Sequence, residues 1–101
     1  QARPIEGGAN SAYAGGVYAT TDVPDMVYAW YAAWLQAHGW HTARFPRASS
    51  FQSIQGYERG DREAYYVAIT DPQLLGQTLG RQLPTDRTVF EARYLISPSN
   101  Q

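Results

Sequence analysis

An α+β fold, with an antiparallel sheet of about five strands and one long helix packed on one face, is what the 101-residue sequence predicts. Three observations carry that expectation. The stretch "TTDVPDMVYAWYAAWLQAHGWHT", Thr20 to Thr42, starts and stops like a helix. Several shorter stretches alternate apolar and polar residues with period two. Only the first crossover is long enough for a covered parallel connection, so the later strands pair as antiparallel neighbours. The order read is β-α-β-β-β-(α)-β, in a single domain over 12–96 between a flexible arm (1–11) and a tail (97–101).

The arm, "QARPIEGGANS", mixes Pro, Gly, Asn and Ser without periodicity. A first strand is expected from Ala12 to Thr20, where Gly15-Gly16 marks a bulge or a close approach of another backbone. Asp22 is placed as N-cap of the following helix, with Pro24 in the first turn, where no N–H partner is needed, and Asp25 near the positive end of the dipole. Gly39 stands at the left-handed C′ position, and Trp40 can close onto Leu35 as in a Schellman turn, so the helix runs from about Val23 to His38. Strands are then expected over Trp40 to Phe45 and Phe51 to Glu58. A tight turn at "ERGD" leads into "EAYYVAIT", in which Tyr65, Val67 and Ile69 alternate with Ala64, Tyr66 and Ala68. Asp71-Pro72 repeats the cap-and-proline signal. The leucines Leu75, Leu79 and Leu83 allow a short second helix, although Gly76 and Gly80 each cost one about 1 kcal/mol relative to alanine. The last strand is "TVFEARYLI", Thr88 to Ile96.

Composition narrows the function classes. With 44% hydrophobic and 17% charged residues the chain is expected to fold, and no apolar run approaches the ~20 residues of a membrane span. The net charge of -1 provides no field for phosphate backbones, so no nucleic-acid partner is expected. All basic residues are arginine, and without cysteine there is neither a disulfide framework nor a thiolate metal site. The chain opens on Gln1 rather than Met, which suggests a processed protein or an excised domain, with a possible lipid anchor upstream.

The segment "YATTDVPDMVYAWYAAWLQAHGW", Tyr18 to Trp40, resembles the opening of small bacterial secreted or lipoprotein domains of unassigned function. In these a strand is followed by an Asp-x-Pro helix start, a Val, an aromatic-Tyr pair, a Leu and a terminal Gly-Trp. The resemblance covers under a quarter of the chain. It implies an α+β fold and a periplasmic, cell-envelope or secreted location, and it carries no catalytic residue across. The motif positions Val27, Tyr31, Leu35, Gly39 and Trp40 are also those that packing alone demands.

Little in the chain points to chemistry. His38 and His41 have the spacing of a helical ligand pair, but Gly39 ends the helix between them and no third ligand lies nearby, so no metal is expected. Asp22, Asp25 and Asp71 are accounted for at helix starts, and Glu58, Asp61 and Glu63 surround an exposed turn. No Gly-x-Ser-x-Gly elbow occurs, and Gly7-Gly8 and Gly15-Gly16 lack the lysine of a phosphate loop. Tyr57, Tyr65 and Tyr66 with Arg59 and Arg62 are only a faint echo of a stacking platform for single strands. Neither a catalytic site nor a cofactor is expected.

What remains is the helix surface. On a wheel of ~100° per residue centred on Val27, a core stripe takes Val23, Trp30, Tyr31, Trp34, Leu35 and His38. Opposite lie Asp25, Ala29, Ala32, Ala33 and Gln36, a face of small side chains, with Tyr28 on its shoulder as a candidate aromatic anchor. That face predicts a contact with another protein or a second protomer of the envelope, or cover by the chain's own Leu74 to Leu83 segment. The function expected is a non-catalytic binding or assembly module. The alternative is a small-ligand site under residues 72–83, and an enzyme is the third reading.

Overall fold

A computed structural model describes residues 3–9, 13–46 and 48–96. Eight elements follow in order: β1 (Arg3–Ala9), β2 (Tyr13–Thr20), α1 (Pro24–Ala37), β3 (His41–Ala43), β4 (Phe51–Arg59), β5 (Glu63–Thr70), α2 (Pro72–Leu79) and β6 (Thr88–Ile96). The strands form one sheet in the order β1-β2-β6-β5-β4-β3, every neighbouring pair antiparallel. The fold is α+β, an antiparallel sheet with two helices.

Two expectations change. Residues 3–9 of the predicted arm form the edge strand β1, paired with β2 in a ladder that sets Gly7 opposite Gly16 and Ala9 opposite Ala14, which raises the sheet from about five strands to six. Pro and Gly argued against a strand there, yet an edge tolerates both, because only one side of the backbone needs partners. Residues 1–2 and 10–12 of the arm and its border, and the tail 97–101, lie outside the described residues. The strand expected over Trp40 to Phe45 shortens to His41–Ala43, because the chain turns away to bring the Phe45 ring over Gly56, where a Cβ would collide with it.

Strand parity sorts the core into two sets. Along β6, Phe90 and Ala92 join Val27, Val67 and Ile69, whereas Val89, one residue out of phase, joins Val17, Ala19, Leu75 and Leu83. Successive side chains of a strand point to opposite faces, so α1 and α2 contribute to clusters on opposite sides of the sheet. A third cluster, Leu35, Trp40 and Tyr57, closes the C-terminal end of α1.

Topology sets the course of α1. With all pairs antiparallel, β2 and β3 run the same way from opposite sides of the sheet, and the connection between them passes β6, β5 and β4. Four inter-strand gaps span ~19 Å and a 14-residue helix ~21 Å, so one helix suffices for the crossing. Its end is the predicted Schellman turn: Trp40 N–H donates to the Leu35 carbonyl at 3.1 Å and Gly39 N–H to that of Gln36 at 3.2 Å, with Gly39 at φ +85°.

α2 resolves the second helix left open by the sequence. Asp71 caps it, accepting from Gln73 N–H at 2.9 Å and Leu74 N–H at 3.4 Å. Gly76 is buried inside it because the returning chain passes close: a Cβ there would meet the Arg81 carbonyl oxygen at 2.6 Å. The Gly15 expectation also finds its reason in a close approach, since a Cβ would run into the Ala92 carbonyl oxygen of β6.

Candidate interaction surface

The sheetward side of α1 is built from Val27, Tyr28, Tyr31, Ala32 and Leu35. Val27 and Leu35 are buried, and Tyr28, Tyr31 and Ala32 pack against the same clusters. The Tyr28 hydroxyl, 2.6 Å from Ser53 Oγ, accepts from Ile69 N–H at 3.4 Å beside the register shift in β4. Tyr31 sits edge-on to Phe90 with ring centroids 5.9 Å apart, and burial pushes its hydroxyl up to about 12. It is a packing group rather than an acid or base at neutral pH.

The predicted core stripe is therefore rotated. Val23 and Trp30, both expected inside, are 59% and 61% exposed; Trp34 and His38 are exposed as well. The cause is that Tyr28, whose hydroxyl finds partners at the sheet, and Tyr31, whose ring packs on Phe90, take the inward positions and turn the tryptophans outward. Trp30 and Trp34 stack on each other, interplanar angle 9°, centroids 6.2 Å apart. Trp34 continues onto His38 at 4.9 Å, whose Nδ1 donates to the Trp34 carbonyl at 2.7 Å. Met26, 59% exposed, extends the row toward the helix start. Beneath its N-terminal half a cavity of about 500 Å³ opens between Met26, Trp30 and Tyr31 on the helix and Thr20 and Phe90 on the sheet.

Of the six residues predicted to form a partner face, Asp25, Ala29, Ala33 and Gln36 are exposed together. Tyr28 and Ala32 turn to the sheet. Leu74 to Leu83 does not cover this face; its Leu75 and Leu83 are buried against Val17, Ala19 and Val89. A cavity of about 610 Å³ lies at α2, lined by Gln73, Gly76, Gln77, Arg81, Leu83 and their neighbours.

Polar clusters lie on both faces of the sheet. Arg59 grips Glu63 with Nε and Nη2 at 2.9 and 3.0 Å, donates from Nη1 to the His38 carbonyl at 3.0 Å, and lies 4.6 Å over the Trp40 ring. Tyr94 adds a 2.7 Å hydrogen bond to Glu63, and together with Arg59 it lowers the carboxyl to about 2. This network ties the end of α1 to the β4-β5 hairpin. On the other face Glu91, 7% exposed, accepts from Tyr66 at 3.0 Å and Arg93 at 2.8 Å, and burial foremost pushes the Tyr66 hydroxyl up to about 12. Among the described residues no buried side-chain polar atom lacks a partner, and no three His, Cys, Asp or Glu converge as a metal site. His41 is on β3 opposite Glu58, apart from His38 at the helix end. Among the described residues no helix is long and apolar enough to cross a membrane.

Sequence reasoning missed Val23, Met26, Trp30 and Trp34 as surface residues. The signal was available: the helix has more large apolar residues than one face can hold, so some must lie outside. No protein-family model matches the chain, and neither a curated protein nor a solved structure matches it.

Proposed function

We propose that this chain is a non-catalytic protein-interaction module that binds through the outer flank of α1. The observation that carries the reading is the exposed, stacked pair Trp30 and Trp34 in line with Met26 and Val23. Monomers rarely leave a contiguous apolar row in water, and tryptophan is the side chain most enriched at binding hot spots. On this reading α1 lies as one long helix along one sheet face, held there by Val27, Tyr31 and Leu35, with its far side free for a partner. The cell-envelope location implied by the resemblance of Tyr18 to Trp40 is part of the same proposal. A photo-crosslinking residue at position 26, with position 77 on α2 as control, tests it. Adducts are expected from position 26 only, and are lost in Trp30→Arg, a variant whose circular dichroism matches the wild type. Equal adduct yield from the two positions refutes the reading.

A further inference from the structure

The solvent side of α1 has an order of its own. Met26, Trp30, Ala33 and Ala37 follow at spacings of four, three and four, the a/d repeat of a helix-helix seam, and all four are exposed. On a wheel of ~100° per residue the centre of this row lies about 130° round from that of Val27, Tyr31 and Leu35. Its large residues are in the N-terminal half and its small ones in the C-terminal half. Between Asp25 and His38 the helix carries no charged side chain.

We infer that the partner is a second copy of this chain, docked α1 against α1 in antiparallel fashion about a two-fold axis between Trp30 and Ala33. The inference rests on the interaction reading above and names its occupant. Size complementarity selects the antiparallel arrangement. With the axis there, Met26 of each copy lies over Ala37 of the other and Trp30 over Ala33, so every layer pairs a large side chain with a small one. A parallel pair would stack Trp30 on Trp30 and leave Ala33 and Ala37 facing a gap.

The contact also closes on itself, as a two-fold requires, because the row supplies both knobs and sockets. No like charges oppose each other along it. Val23, Met26 and Trp30 are each about three-fifths exposed and Trp34 is 43% exposed. Since large aromatic side chains bury ~150–250 Å² each, the four offer on the order of 500 Å² per copy. With Ala33, Ala37 and the polar margin, two copies reach the low end of the ~1,200–2,000 Å² of a standard interface.

Sedimentation equilibrium of the chain tests the pairing, and thiol crosslinking tests its direction, since the sequence holds no native cysteine. The expected result is a two-chain mass for the wild type and a one-chain mass for Trp30→Arg. A mixture of Met26→Cys and Ala37→Cys is expected to give a covalent dimer with a short bifunctional reagent. Each variant alone is not, because like positions stand about 16 Å apart along an antiparallel pair. A wild type that stays at one-chain mass at its highest soluble concentration overturns the self-pairing. The position-26 adducts then tell the two proposals apart: adducts with a different protein leave the interaction reading standing, and their absence removes both. A dimer that survives Trp30→Arg, or efficient crosslinking of Met26→Cys alone, overturns the geometry.

Discussion

The two helices begin alike and are used differently. α1 opens with Asp22-Val23-Pro24 and α2 with Asp71-Pro72, and in both helices the proline is the first helical residue. Because Pro24 takes that place, the cap falls on the residue before it, which is Val23; it makes no side-chain cap bond, and Asp22 is left outside with its own N–H donating to Thr20 Oγ1 at 3.2 Å. In α2 the aspartate is adjacent to the proline and caps it. One inserted residue thus separates a helix start with a side-chain cap from one without. The same contrast runs through their apolar residues. α2 buries Leu75 and closes with Leu83, whereas α1 buries only Val27 and Leu35 and leaves two tryptophans and a methionine outside. α2 leaves one large apolar residue outside, Leu74 at 43% exposed, whereas α1 leaves a whole row of them.

The sharpest break in that comparison is Leu35→Ala. Leu35 is fully buried and packs with Trp40 and Tyr57, so truncation is expected to cost ~2–5 kcal/mol, read from urea denaturation. A loss under about 1 kcal/mol would mean that the end of α1 collapses onto the sheet without it. Next comes Gly76→Ala in α2. Helix propensity alone forecasts a gain of about 1 kcal/mol. The new Cβ would stand 2.6 Å from the Arg81 carbonyl oxygen, and backbone cannot step aside as a side-chain tip can, so a loss of ~1–3 kcal/mol is expected instead. Thermal unfolding of this one variant decides the sign.

The caps give a smaller, paired effect. Asp71→Ala removes the acceptor for two N–H groups and is expected to cost ~1 kcal/mol, while Asp22→Ala is expected to fall within ~0.5 kcal/mol of wild type. Equal losses at the two sites would place Asp22 back at the cap.

These cases show how far the sequence was legible. Thr88 to Ile96 and the Gly60 hairpin were read correctly because alternation and turn chemistry are local. The Gly39-Trp40 closure was legible for the same reason. The face of α1 was not, since a wheel weighs hydrophobicity and cannot know that Tyr28 finds Ser53 twenty-five residues away. Nor could it show that β1 completes an edge, because "RPIEGGA" takes its partner from β2 and carries little strand signal of its own. The predicted face of small side chains suffers from the same shift, because the wheel sets the tryptophans beside its alanines in the core.

The ends of the helices differ as their starts do, and here the smallest effect is expected. α2 ends on Gly80 and the Leu83 contact, which no proton alters, while the His38 carbonyl at the C-cap of α1 is held by Arg59, itself held by Glu63. The Glu63 carboxyl is lowered from 4.5 to about 2, first by the Arg59 hydrogen bond and then by Tyr94. A carboxyl depressed in the folded state contributes stability above its unfolded value and loses it as pH falls through its folded one. The tie at the end of α1 is therefore intact above pH 4.5 and fades from there toward pH 2, with an amplitude kept small by solvent screening. Urea midpoints across this window are expected to fall further for the wild type than for Glu63→Gln, which has no proton to take up. Parallel curves would mean that the Arg59 grip on the end of α1 does not depend on the Glu63 charge.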